Sequence, residues 1–209
     1  MRRPYPYYIL ILLALAIAAY AVLVYGLMPI GKVVHPDMRA NFEAHATIVY
    51  THIFASSIAL AVGVLQFSKT LRVRHIQWHR WLGRIYLAFG VIPGGLAGLL
   101  MAFHAYGGLV SQLGFGVLAL LWLFSGVSAY RAIRRGDIKA HQEWMIGNYA
   151  LTCAAISLRL YLPLSMVAGI PFELAYPAIA WLCWVPNLIY ARWMITQNRS
   201  RNANEAKET

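Results

Sequence analysis

From its first residues onward the chain alternates between long apolar stretches and short polar connections. Six stretches reach the roughly 20 residues that a helix needs to cross a bilayer at about 1.5 Å per residue. They extend approximately over Tyr8–Leu27, His45–Phe67, Trp81–His104, Leu109–Ile133, Glu143–Val167 and Leu174–Ile195. Only the first connection, Met28 to Ala44, is long. No Ser/Pro linker or charged block divides the chain, so the pattern predicts one all-α, polytopic membrane bundle of six helices over residues 1–196. The tail, 197–209, has no apolar period and is expected to be disordered. Arg2 and Arg3 precede the first stretch, and Ala19-Tyr20-Ala21 mimics a signal cleavage site. The apolar run is longer than a signal-peptide core, so the first helix is expected to be retained.

Composition agrees. Of 209 residues 60% are hydrophobic and 12% charged, against about a quarter charged in soluble domains. A mean hydropathy of +0.57 excludes a single water-soluble globule. The net charge of +11 would ordinarily raise nucleic acid as a partner, but the positions of the basic residues say otherwise. Arg2 and Arg3, then Lys69, Arg72, Arg74, Arg80 and Arg84, then Arg131, Arg134, Arg135 and Lys139, then Arg192, Arg199, Arg201 and Lys207 all fall on one side. The other side carries Lys32 and Arg39 alone. The positive-inside rule then places both termini in the cytoplasm. The partners expected are the lipid bilayer and anionic headgroups at the inner face, with no nucleic acid. Cys153 and Cys183 lie inside spans and form no C-x-x-C pair, so they read as buried thiols.

None of the seven acidic residues lies deep in a span, which argues against a cation-coupled carrier. Histidine is the richer signal. His35, His45, His52 and His104 sort to the outer side; His75, His79 and His141 sort to the inner side. His35 and His75 read as loop residues. His45 and His52 share a helix face but stand roughly 10 Å apart, too far for one metal ion. His75 and His79, one turn apart, can join His141 in a three-histidine zinc site with Asp137 or Glu143 as base. Arg159 stands alone in the fifth stretch at the level of His52 and His104. An intramembrane arginine costs roughly 2.5–3.5 kcal/mol on insertion scales, so it must face the interior with a partner. The candidates are Glu43, Glu173, helix carbonyls, or an acidic ligand. Gly90, Gly94 and Gly98, at four-residue spacing around Pro93, predict close helix approach with a kink. Trp181 is a candidate wall for a cofactor pocket.

Several strings carry a resemblance. They are His79-Arg80-Trp81-Leu82-Gly83-Arg84-Ile85-Tyr86, Gly107-Gly108 with Leu113-Gly114-Phe115-Gly116, His141-x-x-Trp144-Met145-x-x-Asn148-Tyr149-Ala150-Leu151, Leu158-Arg159-Leu160, and Trp181-x-x-Trp184-x-Pro186-Asn187. Together, over about Asn41 to Met194, they resemble the bacterial integral-membrane family termed domain of unknown function 2306. The resemblance implies a six-helix protein of the bacterial inner (plasma) membrane and brings no established activity. His79, His104, His141 and Arg159 fall within its strings.

A weaker, architectural similarity is to membrane cytochromes of the b type. In that pattern His79 would pair with His141 at the inner side, and His104 with His45 or His52 at the outer side. The twenty-five residues between His79 and His104 span roughly 37 Å of helix, so two rim haems would be poorly coupled. A single haem b in the outer half, near His52 with Arg159 on a propionate, fits better. The leading expectation is therefore a haem b redox protein serving a redox partner or quinone. The zinc hydrolase and a non-enzymatic carrier or partner subunit stand as alternatives.

Overall fold

A computed structural model describes residues 5–205. Among them six helical spans are long and apolar enough to cross a membrane: Pro6–Leu27, Ala46–Leu65, Ile76–Ala102, Gly108–Arg134, Ile138–Val167 and Phe172–Ser200. No described residue is in a strand. An even number of crossings puts the described ends together on one face, here the terminal face. The 28–45 connection lies at the other, the first-loop face, where it folds into a short 3-10 turn, Pro36–Met38, and a helix, Arg39–Ala44.

Local chemistry explains where the helices start and break. The Ser68 hydroxyl accepts from the Leu71 N–H at 3.3 Å and caps the helix Lys69–Arg74. Asp137 does the same for the fifth span through Ala140 N–H at 2.9 Å. In the third span Pro93 has no N–H and its ring crowds the Phe89 carbonyl. The backbone widens into a π-helical turn over Tyr86–Val91 just before it, as expected where one residue too many must be absorbed. The sixth span breaks after Leu182 and restarts at Val185, with Pro186 in its first turn.

The glycine ladder does what its spacing predicts. A methyl on Gly90 would sit 2.9 Å from Ala59 Cβ, and one on Gly98 would sit 2.8 Å from His52 Nδ1. Between them, Gly94 leaves room for Ser56 and Trp122, each just over 3 Å from where its Cβ would be. The second and third spans therefore meet backbone to backbone. The first span packs on the second, the fourth on the third, fifth and sixth, and the first touches the fifth only sparingly.

At mid-membrane depth the third, fourth and fifth spans are joined by a buried polar network. Tyr86 OH donates to Asn148 Oδ1 at 2.5 Å, and Asn148 Nδ2 donates to the Trp122 carbonyl at 2.7 Å and to Ser125 Oγ at 2.8 Å. Trp122 Nε1 donates to Thr152 Oγ1 at 2.9 Å, and Tyr149 OH reaches the Leu60 carbonyl at 3.0 Å. Satisfying every group internally is what permits such polar side chains in a lipid-surrounded core.

Two expectations change. The tail is helical through Glu205, because the span's own hydrogen-bonding continues outward and Arg199 forks onto the Glu143 carboxylate. Residues 206–209 of the expected disordered tail lie outside the described part, as do Arg2 and Arg3. Trp181 does not line the cavity between the spans: its indole donates to the Val110 carbonyl at 3.0 Å and fastens the sixth span to the fourth.

Candidate functional site

A cavity of about 950 Å³ occupies the half of the bundle nearest the first-loop face. Every span contributes to its wall, and it falls into three levels. At the mouth lie Lys32, His35, Asn41, His45 and His104. A middle belt holds His52, Phe115, Arg159 and, from the first span, Tyr20 and Tyr25. Beneath it lie Ile53, Ser56, Ser57, Leu118 and Ala119, and Trp122 and Thr152 form the floor, with Leu60 and Leu151 at its level. Helical rise sets these levels. Arg159 stands seven residues above Thr152, roughly 10 Å, and His52 eight above Leu60, roughly 12 Å.

The chain itself gives Arg159 little. One guanidinium N–H donates to the Ala155 carbonyl of the preceding turn at 3.2 Å. Among the described residues the two ion pairs are His35–Asp37 and Arg199–Glu143, so neither Glu43 nor Glu173 meets it. Tyr20, Tyr25 and His52 lie within its electrostatic reach. Pro163, also on the cavity wall, has no N–H to offer the Arg159 carbonyl. The belt therefore brings several unused N–H donors and two phenols to the cavity wall, beside one carbonyl freed of its helical partner.

The histidines differ in what they can offer. His52 Nδ1 lies 2.8 Å from the Gly94 carbonyl oxygen. A carbonyl only accepts, so Nδ1 carries the proton and Nε2 is left with a lone pair. His45 is held the same way, by the Asn41 carbonyl at 3.0 Å, and His141 by Ala129 at 2.9 Å. His45 and His104 stack face to face, ring centroids 4.2 Å apart and planes 22° apart, while Asn41 Nδ2 donates to the His104 carbonyl at 2.5 Å. Two axial imidazoles must approach an iron edge-on from opposite sides of a macrocycle. The stacked pair leaves no room for one, so the outer pairing of His45 with His104 is not arranged for haem. At the rim His35 stacks on Phe172 at 3.9 Å beside Tyr106.

The terminal-face histidines stay apart from the cavity. His79 and His141 are within electrostatic reach of each other. His75 is the N-cap of the helix Ile76–Ile85, with φ −131° and ψ 52°, and its carbonyl accepts from the His79 N–H at 3.1 Å. Among the described residues no group of three or more His, Cys, Asp or Glu is placed to hold a metal ion, so His75, His79 and His141 do not form the expected zinc triad.

Sequence reasoning found Arg159, His52, His45 and His104 but missed Tyr20, Tyr25, Trp122 and Thr152. Aromatic and hydroxyl residues are ordinary in membrane helices, and no spacing marks those that turn toward a void. The family model described as predicted membrane protein, domain of unknown function 2306, matches residues 49–195. No curated protein and no solved structure matches the chain.

Proposed function

The chain belongs to this DUF2306 family of predicted membrane proteins, and we propose that it binds an amphiphilic ligand in the cavity, holding an acceptor-rich head group on Arg159. The observation that carries this reading is a guanidinium in the wall of an apolar cavity with no carboxylate against it. Its burial costs roughly 2.5–3.5 kcal/mol on insertion scales, and one carbonyl of its own helix offsets little of that. A ligand oxygen supplies what the chain does not, in the forked geometry that guanidinium favours. The basic residues of the terminal face orient that face to the cytoplasm of a bacterial inner membrane, so the cavity opens outward.

His52 supports a second reading, haem b as the amphiphile. Its Nδ1–H anchored on a backbone carbonyl and its free Nε2 are the arrangement typical of a metal-ligating histidine. Arg159 at the same level suits a propionate. When bound, haem would supply one-electron redox chemistry for a redox partner or quinone.

One preparation tests both. The full chain, purified in mild detergent, is expected to carry a co-purifying amphiphile by native mass spectrometry. Arg159→Gln loses it and Arg159→Lys keeps it; equal loading of wild type and Arg159→Gln sinks the head-group reading. A Soret band that disappears in His52→Ala supports haem, and a colourless sample dismisses it.

A further inference from the structure

We infer that the amphiphile is a single-chain monocarboxylate of medium length, and that the Trp122–Thr152 floor and Ala119 above it set that length. The inference rests on the head-group reading above and narrows its ligand class.

Charge argues for a carboxylate. The belt holds one permanent cation, Arg159, and no described acid shares it. A single guanidinium matches a single negative charge and forks onto two oxygens of one carboxylate. The phenols of Tyr20 and Tyr25 stand beside it as further donors.

Depth argues for length. From Arg159 to the Thr152 floor is seven residues, roughly 10 Å. An extended chain advances about 1.2 Å per bond, so about eight carbons reach from the belt to the floor. The floor is rigid, because Trp122 Nε1 is tied to Thr152 Oγ1 at 2.9 Å and Thr152 Oγ1 in turn to the Asn148 carbonyl at 3.0 Å. The cavity as a whole, about 950 Å³, has room to spare for such a chain, so the depth below the belt and not the total volume sets the length. Ala119 and Leu118 lie one turn above Trp122 on the same helix and both face the chamber.

The test is a titration of the full chain in lipid nanodiscs with straight-chain carboxylates from hexanoate to stearate. It is read by displacement of a fluorescent fatty-acid probe, with empty nanodiscs as the blank. Affinity should rise about fourfold per added methylene, reach its best value near octanoate or decanoate, and rise no further. Ala119→Leu, which lifts the floor, should move the optimum to shorter chains; Leu118→Ala, which trims the wall beside it and adds no clash, should make room for longer ones. Affinity that climbs steadily to stearate, an optimum that neither variant moves, or no displacement by any carboxylate overturns the length assignment and leaves the Arg159 reading in place. Octanol displacing the probe as well as octanoate does, with Arg159→Gln equal to wild type, overturns both.

Discussion

Asn148 is the residue whose loss the bundle should feel most sharply. It is fully buried and its side chain takes part in three hydrogen bonds, to Tyr86 OH, the Trp122 carbonyl and Ser125 Oγ. Truncation to alanine removes all three, but the partners keep something. Tyr86 OH retains Thr152 Oγ1 at 3.0 Å, and Ser125 Oγ retains the Leu121 carbonyl at 2.7 Å. At about 0.6 kcal/mol for an average side-chain hydrogen bond inside a membrane, with about 1.7 as the upper end, Asn148→Ala should destabilise by about 2 kcal/mol. Tyr86→Phe should cost about 1 kcal/mol, and the double variant should show coupling of roughly 0.5–1 kcal/mol, since one bond is shared. Asn187→Ala, whose half-buried side chain meets Ser157 at 3.1 Å and the Cys183 carbonyl of its own span at 3.0 Å, is the comparison and should cost less than Asn148→Ala, because it ties two spans rather than three. Reversible unfolding in mixed dodecyl maltoside–SDS micelles, followed by circular dichroism, measures each difference. A loss below about 0.5 kcal/mol for Asn148→Ala, or strictly additive Tyr86 and Asn148 changes, would refute the claim that this network ties the three spans together.

Two other expectations concern packing and orientation. Gly90→Ala places a methyl 2.9 Å from Ala59 Cβ and 3.0 Å from Ala59 backbone atoms, so in the same unfolding assay it should cost about 1–3 kcal/mol. Gly26→Ala, with nothing within 4 Å, should be neutral or better; equal effects would mean that the second and third spans do not meet as described. In intact bacterial cells a membrane-impermeant maleimide should label Ala44→Cys and reach Arg135→Cys only after lysis, and the reverse pattern would invert the proposed orientation.

Much of the architecture was legible without coordinates because lipid imposes a blunt rule. Each span must be about 20 apolar residues with its backbone satisfied internally, and the run from His45 to Phe67 became the helix Ala46–Leu65. The Gly90–Gly94–Gly98 ladder was readable for a related reason: the missing side chains have a period, and a period has a face. Arg159 stood out because its charge is costly wherever it lies in a membrane. His75 shows where this reasoning fails. A four-residue step sets His75 one hydrogen-bonded turn from His79, but spacing within one segment does not record how near His141 of another span comes or how its ring is turned. The tail failed for the opposite reason: a polar composition looked unstructured, yet residues 197–205 extend a helix already nucleated by the sixth span.

By itself, the sequence determined the number of spans, the sides to which the charges sort, the close approach of a helix to the Gly90–Gly94–Gly98 ladder, and the one arginine in need of a partner. These follow from one-dimensional quantities such as run length, charge position and residue period. Tertiary structure alone decided that His52, Arg159, Tyr20 and Tyr25 share one belt, that His45 and His104 stack on each other, and that Trp122 and Thr152 close the chamber below. Such placements depend on how each helix is rotated about its axis against neighbours distant in the chain. That rotation is set by the sum of many weak packing contacts, and no single stretch of sequence contains it.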